Sequence, residues 1–315
     1  MIRMENEAIK FGKNLVSTKE FLAEGHNFCS GCGEALAIRL CCKALGDNTI
    51  IAMATGCDEV CTTPLPVTSW RLPWLHTLFE NAAAEISGAE AGLKIMMQKG
   101  KVPKRDINYV AMAGDGGTSD IGLQALSGAI ERGHDFLYIC WDNEAYMNTG
   151  IQRSSATPYG ASTTTAPAGK VSIGQKTQKK NMVEICAAHG IPYAAAACPS
   201  YPFDLLNKVK KGAEVKGPAY VHVLSPCPTG WRFPSNLTIQ IGRLAVETGV
   251  FPLYEVENGH YKLNVDRPKL RPVEEYLRPQ GRFRHLSDAE IGKIQDKVNE
   301  EYAKLKARVA AFSAA

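Results

Sequence analysis

The chain has 315 residues, of which 45% are hydrophobic and 22% are charged, and its formal net charge is +4. This length and composition predict a globular protein with a large core, and so small a net charge does not favour a nucleic-acid-binding function. The first residues are too polar for a signal peptide, and no apolar run approaches the roughly 20 residues of a membrane helix. We therefore expect a cytoplasmic protein that binds neither nucleic acid nor membrane.

The sequence contains ten cysteines. Thiols stay reduced in the cytosol, so we expect metal ligands and buried thiols and not a framework of disulfides. Cys29 and Cys32 form a CxxC loop that leads into a predicted helix. The predicted strand 49–54 then runs into Gly56 and Cys57, which places a third thiol at a strand end.

The next segment, residues 64–74, is rich in Pro and Trp without a clear period and is predicted to be a loop that covers the site. Residues 76–98 are predicted to form an Ala-rich helix, on which His76 and Glu80 would lie one turn apart. For this pair we favour a polar helix face or a cap over a catalytic role.

The most informative stretch begins with the short apolar run 109–113, which is typical of a buried strand. Residues 121–130 then have helical apolar spacing, and residues 136–141 form a second buried apolar run. A strand, helix, strand unit of this length predicts parallel strands joined by a right-handed crossover. Asp115 and Asn143 follow the two strands, so they should lie side by side at the edge where open α/β sheets bind ligands.

These residues suit a site for Mg²⁺ and a diphosphate. Asp115 and Asn143 offer hard oxygen ligands, and Mg²⁺ takes few ligands from a protein and the rest from phosphates and water. Gly114, Gly116 and Gly117 allow the backbone to approach a diphosphate, and the following helix offers free N–H groups to its oxygens.

The rest of the chain continues the α/β pattern and then becomes more polar. The Ser-, Thr-, Gly- and Pro-rich segment 149–177 is interpreted as a lid or binding loop in preference to a flexible insertion. Helices and strands alternate up to residue 224, and Ser200 is the predicted N-cap of one of these helices. Near the end, Ser287 and Glu290 have capping-box spacing at the start of a final helix.

We therefore predict three parts. Residues 1–24 form an N-terminal arm, and residues 25–235 form an α/β domain whose parallel sheet carries helices on both faces. Residues 236–315 form a helical C-terminal extension for subunit docking.

Four thiols, Cys29, Cys32, Cys57 and Cys227, lie in loops or at strand ends that can converge on one side of a parallel sheet. Four thiolates suit a [4Fe–4S] cluster and zinc about equally, so their spacing alone does not decide the metal. Cys61 is an alternative to Cys57 as the third ligand.

On these residues the chain resembles the thiamine-diphosphate enzymes. Its GDG at Gly114 and its NEAYMNTG at Asn143 are similar to motifs of the β subunits of the 2-oxoacid:ferredoxin oxidoreductases, the pyruvate:ferredoxin oxidoreductase family. The blocks CSGCGEALAIRL and LSPCPTGWRFP add to the resemblance. It implies the α/β fold of a thiamine-diphosphate-binding domain.

The resemblance also implies ligands and roles. Mg²⁺ would be bound by the side chains of Asp115 and Asn143 and by the Ala145 carbonyl, Asn148 would face the reacting carbon, and the cofactor would lie against the Gly56–Cys57 turn. The resemblance favours a [4Fe–4S] cluster over zinc for the four thiols named above. An α/γ-type partner subunit would supply the Glu that contacts the pyrimidine ring, and a ferredoxin-like δ-type subunit would pass electrons to ferredoxin.

The expected reaction is the decarboxylation of a small 2-oxoacid, pyruvate with coenzyme A being the commonest case. Oxalate, which needs no coenzyme A, remains an alternative, since residues 58–74 depart from what a pyruvate enzyme is expected to contain. A non-redox thiamine-diphosphate decarboxylase and a zinc-stabilised scaffold without enzymatic activity are two further hypotheses.

Overall fold

The structure, a computed structural model, describes residues 16–64 and 66–313. Its strands are β1 (Thr49–Ala54), β2 (Trp74–Thr77), β3 (Asn108–Gly114), β4 (Leu137–Asp142), β5 (Ala168–Gly169), β6 (Ser172–Ile173), β7 (Tyr193–Ala197), β8 (Ala219–Leu224), β9 (Tyr254–Glu257) and β10 (His260–Leu263). Eight of them form one sheet in the order β10-β9-β7-β8-β4-β3-β1-β2. The run from β7 to β2 is parallel, whereas β9 and β10 are antiparallel additions at one edge.

Helices cover both faces of this sheet. They are α1 (Gly33–Leu45), α2 (Cys57–Val60), α3 (Ala82–Gln98), α4 (Leu123–Glu131), α5 (Met182–Ala187), α6 (Pro202–Glu214), α7 (Pro228–Trp231), α8 (Thr238–Glu247), α9 (Glu274–Leu277) and α10 (Asp288–Ser313). α1 and α6 pack in the core of one face, and α3, α4 and α5 pack in the core of the other. The predicted α/β class, with a mostly parallel sheet and helices on both faces, is confirmed.

The central strands are uniformly apolar because both of their faces are buried. In β4, Leu137, Ile139 and Trp141 enter the core on the α1 side, whereas Tyr138 and Cys140 enter the opposite core. All six residues of β4 and all six of β8 are buried. Such strands lack the alternation of a half-exposed strand, which is why they appear in the sequence as short continuous apolar runs.

Two predictions about residues 76–98 are wrong. The helix predicted for residues 76–98 begins only at Ala82. Its first two predicted residues belong to the edge strand β2, and residues 78–81 connect this strand to the helix. His76 therefore lies on a strand and Glu80 in the following turn, so the two are not one helical turn apart. The strand forms because it pairs with β1, a contact between distant segments that local apolar spacing does not encode.

The predicted N-cap at Ser200 is also wrong. Tyr201 occupies the N-cap position of α6 without a side-chain cap, and Pro202 is the first helical residue. The Ser200 hydroxyl is buried and packs close to Gly242 of α8, so tertiary packing has replaced the local cap.

The two ends of the chain are packed against the α/β body as far as the structure describes them. Most of the predicted N-terminal arm, residues 1–15, lies outside the described residues, but Phe21 and Leu22 are buried in the core on the α1 side. Beyond residue 235, β9 and β10 extend the main sheet, and a third core joins α8, α9 and α10 to the body. The predicted capping box is confirmed, since the Glu290 carboxylate accepts from Ser287 N–H at 2.7 Å.

Candidate functional site

Four sequence motifs meet at the carboxyl edge of the parallel sheet. Neighbouring strands β8, β4, β3 and β1 all run in the same direction and end next to Cys227, Asn143, Asp115 and Cys57 respectively. The pairing of Gly114 with Trp141 confirms that β3 and β4 are parallel neighbours. The predicted diphosphate site and two of the predicted cluster thiols therefore share one edge, where open α/β sheets bind ligands.

Asp115 and Asn143 each present one oxygen that has no hydrogen-bond partner. Asp115 is fully buried, and its Oδ2 accepts from Ser154 Oγ at 2.5 Å while its Oδ1 has no donor. Asn143 is also buried, and its Nδ2 donates to Glu34 Oε2 at 3.0 Å while its Oδ1 has no donor. Buried acceptors without donors are rare in folded proteins, and they fit a bound cation.

The electrostatic surroundings of Asp115 also fit a bound cation. Burial and the neighbouring carboxylate of Asp142 raise the pKa of Asp115 well above its usual range. A divalent cation would offset that repulsion and favour the ionised carboxylate, because an opposite charge within a few ångströms stabilises the charged form. The donor set, a carboxylate and an amide oxygen, therefore fits Mg²⁺.

The glycine-rich turn after β3 is closely packed. A Cβ atom on Gly116 would lie 2.5 Å from the ring of Tyr146, so any other residue there would force this ring to move. The chain continues as one π-helical turn, Gly117–Ile121, before α4 begins. The regular helix predicted to start near residue 121 is therefore preceded by a local irregularity of a kind often found at functional sites.

The segment 149–177 contributes buried residues to this turn. Ser154 contacts Asp115 as described above, and Ser155 N–H donates to Asp120 Oδ2 at 3.0 Å. The Thr157 hydroxyl donates to the Glu144 carbonyl at 2.7 Å. At least part of the segment predicted as a lid or binding loop is therefore packed against residues of the site, and its role as a lid stays a prediction.

The predicted cluster thiols come from loops that contact one another. Cys32 N–H donates to the Cys29 carbonyl at 3.1 Å, and the next residue donates to the Pro226 carbonyl at 3.1 Å, beside Cys227. Asn27 N–H donates to the Cys61 carbonyl at 2.8 Å. The CxxC loop thus contacts the turn after β8, and the residues just before the loop contact the C-terminal end of α2.

The thiols also interact electrostatically. Burial raises the pKa of Cys61 and of Cys227 to about 11, and Cys29 contributes to both increases. Burial likewise raises the pKa of Cys32 and of Cys57, with a contribution from Cys227 in each case. All ten cysteines are free thiols. Within residues 16–64 and 66–313, no three His, Cys, Asp or Glu side chains are arranged to hold a single metal ion.

Two buried carboxylates at this edge were missed by the sequence analysis. Glu34 follows the CxxC loop at the start of α1 and hydrogen-bonds Asn143. Asp58 is fully buried, neither of its oxygens has a hydrogen-bond partner, and one of them lies against Gly56. Burial raises the pKa of both carboxyl groups. Their positions in the sequence, Asp58 directly after Cys57 and Glu34 two residues after Cys32, were the signal that could have drawn attention to them.

The remaining predicted site residues differ in exposure. Ala145 is buried beside Asn143, whereas Asn148 is exposed. His76 Nε2 lies 2.7 Å from Thr55 Oγ1, and its ring stacks on Trp74 at a centroid distance of 6.0 Å. His76 is therefore close to the Gly56–Cys57 turn, although it is on β2 and not on a helix.

Comparison with known proteins first defines the class. Residues 54–223 match the family model described as the thiamine pyrophosphate enzyme C-terminal TPP-binding domain. This range includes Asp115, Asn143 and the whole of the parallel strands β2, β3, β4 and β7. It includes only the last residue of β1 and all but the last residue of β8. The fold and the site thus define a thiamine-diphosphate-binding domain.

Similar curated proteins then specify the family. The chain is 58% identical to pyruvate synthase subunit PorB of Methanocaldococcus jannaschii, over 90% of this chain and 95% of that protein. It is 54% identical to PorB of Methanosarcina barkeri, over 88% of this chain and 94% of that protein. It is 49% identical to ketoisovalerate oxidoreductase subunit VorB of Pyrococcus abyssi, over 95% of this chain and 96% of that protein.

The chain belongs to the family of 2-oxoacid:ferredoxin oxidoreductase β subunits, which form part of thiamine-diphosphate-dependent enzymes with several subunits. A solved structure of 2-oxoglutarate:ferredoxin oxidoreductase from Magnetococcus marinus, with 2-oxoglutarate, coenzyme A and succinyl-CoA bound, aligns with a TM-score of 0.55. It is 20% identical over 71% of this chain and 79% of that chain, which shows a shared fold. None of the described helices is long and apolar enough to span a membrane.

Proposed function

We propose that this chain is the β subunit of a pyruvate:ferredoxin oxidoreductase that decarboxylates pyruvate in the presence of coenzyme A. The site that supports the proposal is the pair of buried oxygens, Asp115 Oδ1 and Asn143 Oδ1, at adjacent ends of β3 and β4. Bound thiamine diphosphate supplies the electron sink for decarboxylation. The chain's own contribution is to bind and orient the diphosphate through Mg²⁺.

The proposed magnesium ligands are Asp115, Asn143 and the Ala145 carbonyl. Gly114, Gly116 and Gly117 would lie along the diphosphate, and Asn148 would face the reacting carbon. The exposure of Asn148 supports this role, because the pyrimidine half of the site is proposed to come from a partner that would cover this edge.

The proposed [4Fe–4S] ligands are Cys29, Cys32, Cys57 and Cys227. Their support is the contact of the CxxC loop with Pro226 and the mutual electrostatic influence of the thiols. Cys61 belongs to the same neighbourhood and stays the alternative to Cys57. A cluster bound at this edge would lie beside the Gly56–Cys57 turn, in a position to accept electrons from the thiamine site.

Pyruvate is the proposed substrate because relatives named pyruvate synthase subunits are up to 58% identical to the chain. A branched 2-oxoacid is the second candidate, since proteins named ketoisovalerate oxidoreductase subunits reach 49% identity over 95% of the chain. Oxalate stays the alternative that residues 58–74 suggested. We propose as partners an α/γ-type subunit that supplies the pyrimidine-side Glu, a ferredoxin-like δ-type subunit, and ferredoxin. The cytoplasmic location stays a prediction.

The test is anaerobic viologen reduction by the purified complex that contains this chain. We expect coenzyme A-dependent reduction with pyruvate, slower reduction with ketoisovalerate, and none with oxalate alone. Faster reduction with ketoisovalerate or with oxalate would overturn the assignment of pyruvate.

The magnesium site is tested separately with Asp115→Asn, which keeps the side-chain shape and removes the charge. Its Mg²⁺ affinity, measured through thiamine diphosphate binding, should fall by more than the roughly 10- to 100-fold typical of substitutions outside the ligand set. Asp106→Asn is the matched control, because the Asp106 side chain is 99% exposed. An unchanged Mg²⁺ affinity in Asp115→Asn would overturn the ligand assignment.

A further inference from the structure

The residue between the proposed magnesium ligands Asn143 and Ala145 has a strained backbone. Glu144 has a φ angle of 66°, in the left-handed region that residues other than glycine avoid. Such a conformation persists only where the surrounding structure holds it. Glu144 is 3% exposed, so the groups that hold it lie inside the protein.

Backbone and side-chain contacts together hold Glu144 in place. Its N–H donates to Asp142 Oδ1 at 3.1 Å, and its carbonyl accepts from Thr157 Oγ1 at 2.7 Å. Its Oε1 accepts from Lys179 Nζ at 2.8 Å. Its Oε2 lies 2.6 Å from a guanidinium nitrogen of Arg282, as an ion pair and not as an aligned hydrogen bond.

Arg282 is itself fixed in position. Its guanidinium lies 4.0 Å from the centroid of the Trp231 ring, and its Nε donates to Gln280 Oε1 at 2.9 Å. Trp231 in turn donates from Nε1 to the Asn143 carbonyl at 2.7 Å. The stacked Arg282–Trp231 pair thus contacts two successive residues of the loop, Asn143 through its carbonyl and Glu144 through its carboxylate.

Groups of opposite charge meet in this network. Two carboxylates, Asp142 and Glu144, face two cations, Lys179 and Arg282, and His222 also hydrogen-bonds Asp142 at 2.7 Å. Without Arg282, Lys179 would be the only lysine or arginine among the described residues that pairs with either carboxylate. Glu144 would then keep one of its two ionic contacts and share it with Asp142.

We propose that Arg282 is a positioning residue for the magnesium site. It holds Glu144 in the left-handed conformation and thereby keeps the oxygen ligands on either side, Asn143 and Ala145, in place for Mg²⁺. This inference rests on the magnesium site proposed above. Arg282 acts through Glu144 and Trp231, and it belongs to the C-terminal part of the chain, to which the sequence assigned only docking.

The experiment measures Mg²⁺ affinity by calorimetry, in the whole complex depleted of cation by chelation and supplied with thiamine diphosphate. Arg282→Gln should weaken Mg²⁺ binding about 10- to 100-fold, the range typical of residues that orient metal ligands. Arg278→Gln is the matched control, because Arg278 lies in the same segment but is 42% exposed and pairs with Glu274 and Asp288. Its Mg²⁺ affinity should equal that of the wild type.

A double variant separates positioning from a general loss of structure. In Glu144→Gly/Arg282→Gln, glycine adopts a positive φ without assistance, and the network loses one anion together with one cation. Its Mg²⁺ affinity should return to within about threefold of wild type, because the positive φ is then free of strain. Wild-type affinity in Arg282→Gln, or an affinity in the double variant as low as in Arg282→Gln, would overturn the positioning role.

The Asp115→Asn variant distinguishes a failure of this inference from a failure of the proposed magnesium site. If Asp115→Asn leaves Mg²⁺ affinity unchanged, the magnesium site itself is wrong and the positioning role fails with it. If Asp115→Asn lowers the affinity and Arg282→Gln does not, only the positioning role is overturned.

Discussion

Glu255 offers a quantitative test of how firmly the C-terminal hairpin is joined to the parallel sheet. It lies on β9 and is 5% exposed. Its carboxylate accepts from Tyr193 Oη at 2.9 Å and from Lys211 at 3.3 Å through Oε2, and from Lys262 at 2.9 Å through Oε1. The carboxylate therefore connects the hairpin to β7 and α6.

The magnitude follows from the pKa of this group. Burial raises the pKa of Glu255, but Lys262, Lys211 and the Tyr193 hydroxyl lower it more, so that it falls from 4.5 to about 2. A shift of this size corresponds to about 3 kcal/mol in favour of the ionised form. Because Lys262 is 69% exposed and solvent screens its charge, we expect Glu255→Gln to lower the free energy of unfolding by about 2 kcal/mol at pH 7.

The pH dependence has a definite sign. A carboxyl group with a lowered pKa stabilises the folded state above its unfolded pKa and loses that stabilisation as the pH falls. The difference between wild type and Glu255→Gln should therefore be constant above pH 4.5 and shrink toward zero as the pH falls from 4.5 to about 2.

The assay is urea unfolding at a series of pH values, with Glu257→Gln as the matched control. Glu257 is on the same strand and pairs with the same Lys211, but its side chain is 46% exposed, so its substitution should change stability by less than about 1 kcal/mol. Equal effects of the two substitutions at pH 7, or a Glu255→Gln effect that does not shrink below pH 4.5, would refute the reasoning.

Two further predictions concern the site. Cys227→Ser should remove the absorbance near 400 nm of the anaerobically purified complex, whereas Cys186→Ser, in the core that contains α3, α4 and α5, should keep it; equal spectra would contradict the cluster assignment. Ser154→Ala removes the hydroxyl that orients Asp115 and should weaken Mg²⁺ binding about 10- to 100-fold, as measured by calorimetry. Ser127→Ala, at a half-buried serine whose hydroxyl hydrogen-bonds His189 and not Asp115, is its control. A Ser154→Ala affinity equal to that of this control would show that the hydroxyl has no such role.

The sequence alone determined the central unit of the fold and the central pair of the site. The apolar runs ended by Asp115 and Asn143 are local signals, and a short helical connection leaves parallel strands few ways to pair. Their adjacency could therefore be predicted from one continuous stretch. The convergence of Cys57 and Cys227 on the same edge was predictable for a similar reason, since parallel strands end on one side of a sheet.

Tertiary structure alone decided which other residues complete the site. Glu34, Ser154 and Arg282 each contact a predicted ligand or its neighbour, yet their partners lie far away along the chain. A buried ionic residue has the same appearance in a sequence as a solvated one, because burial depends on long-range packing and not on local periodicity. The same limit explains β2, whose strand form depends on β1, and the hairpin β9–β10, which the sequence assigned to a helical extension. Local apolar spacing thus specified the sheet and its ligand-bearing edge, and long-range packing specified the charged groups that hold this edge in position.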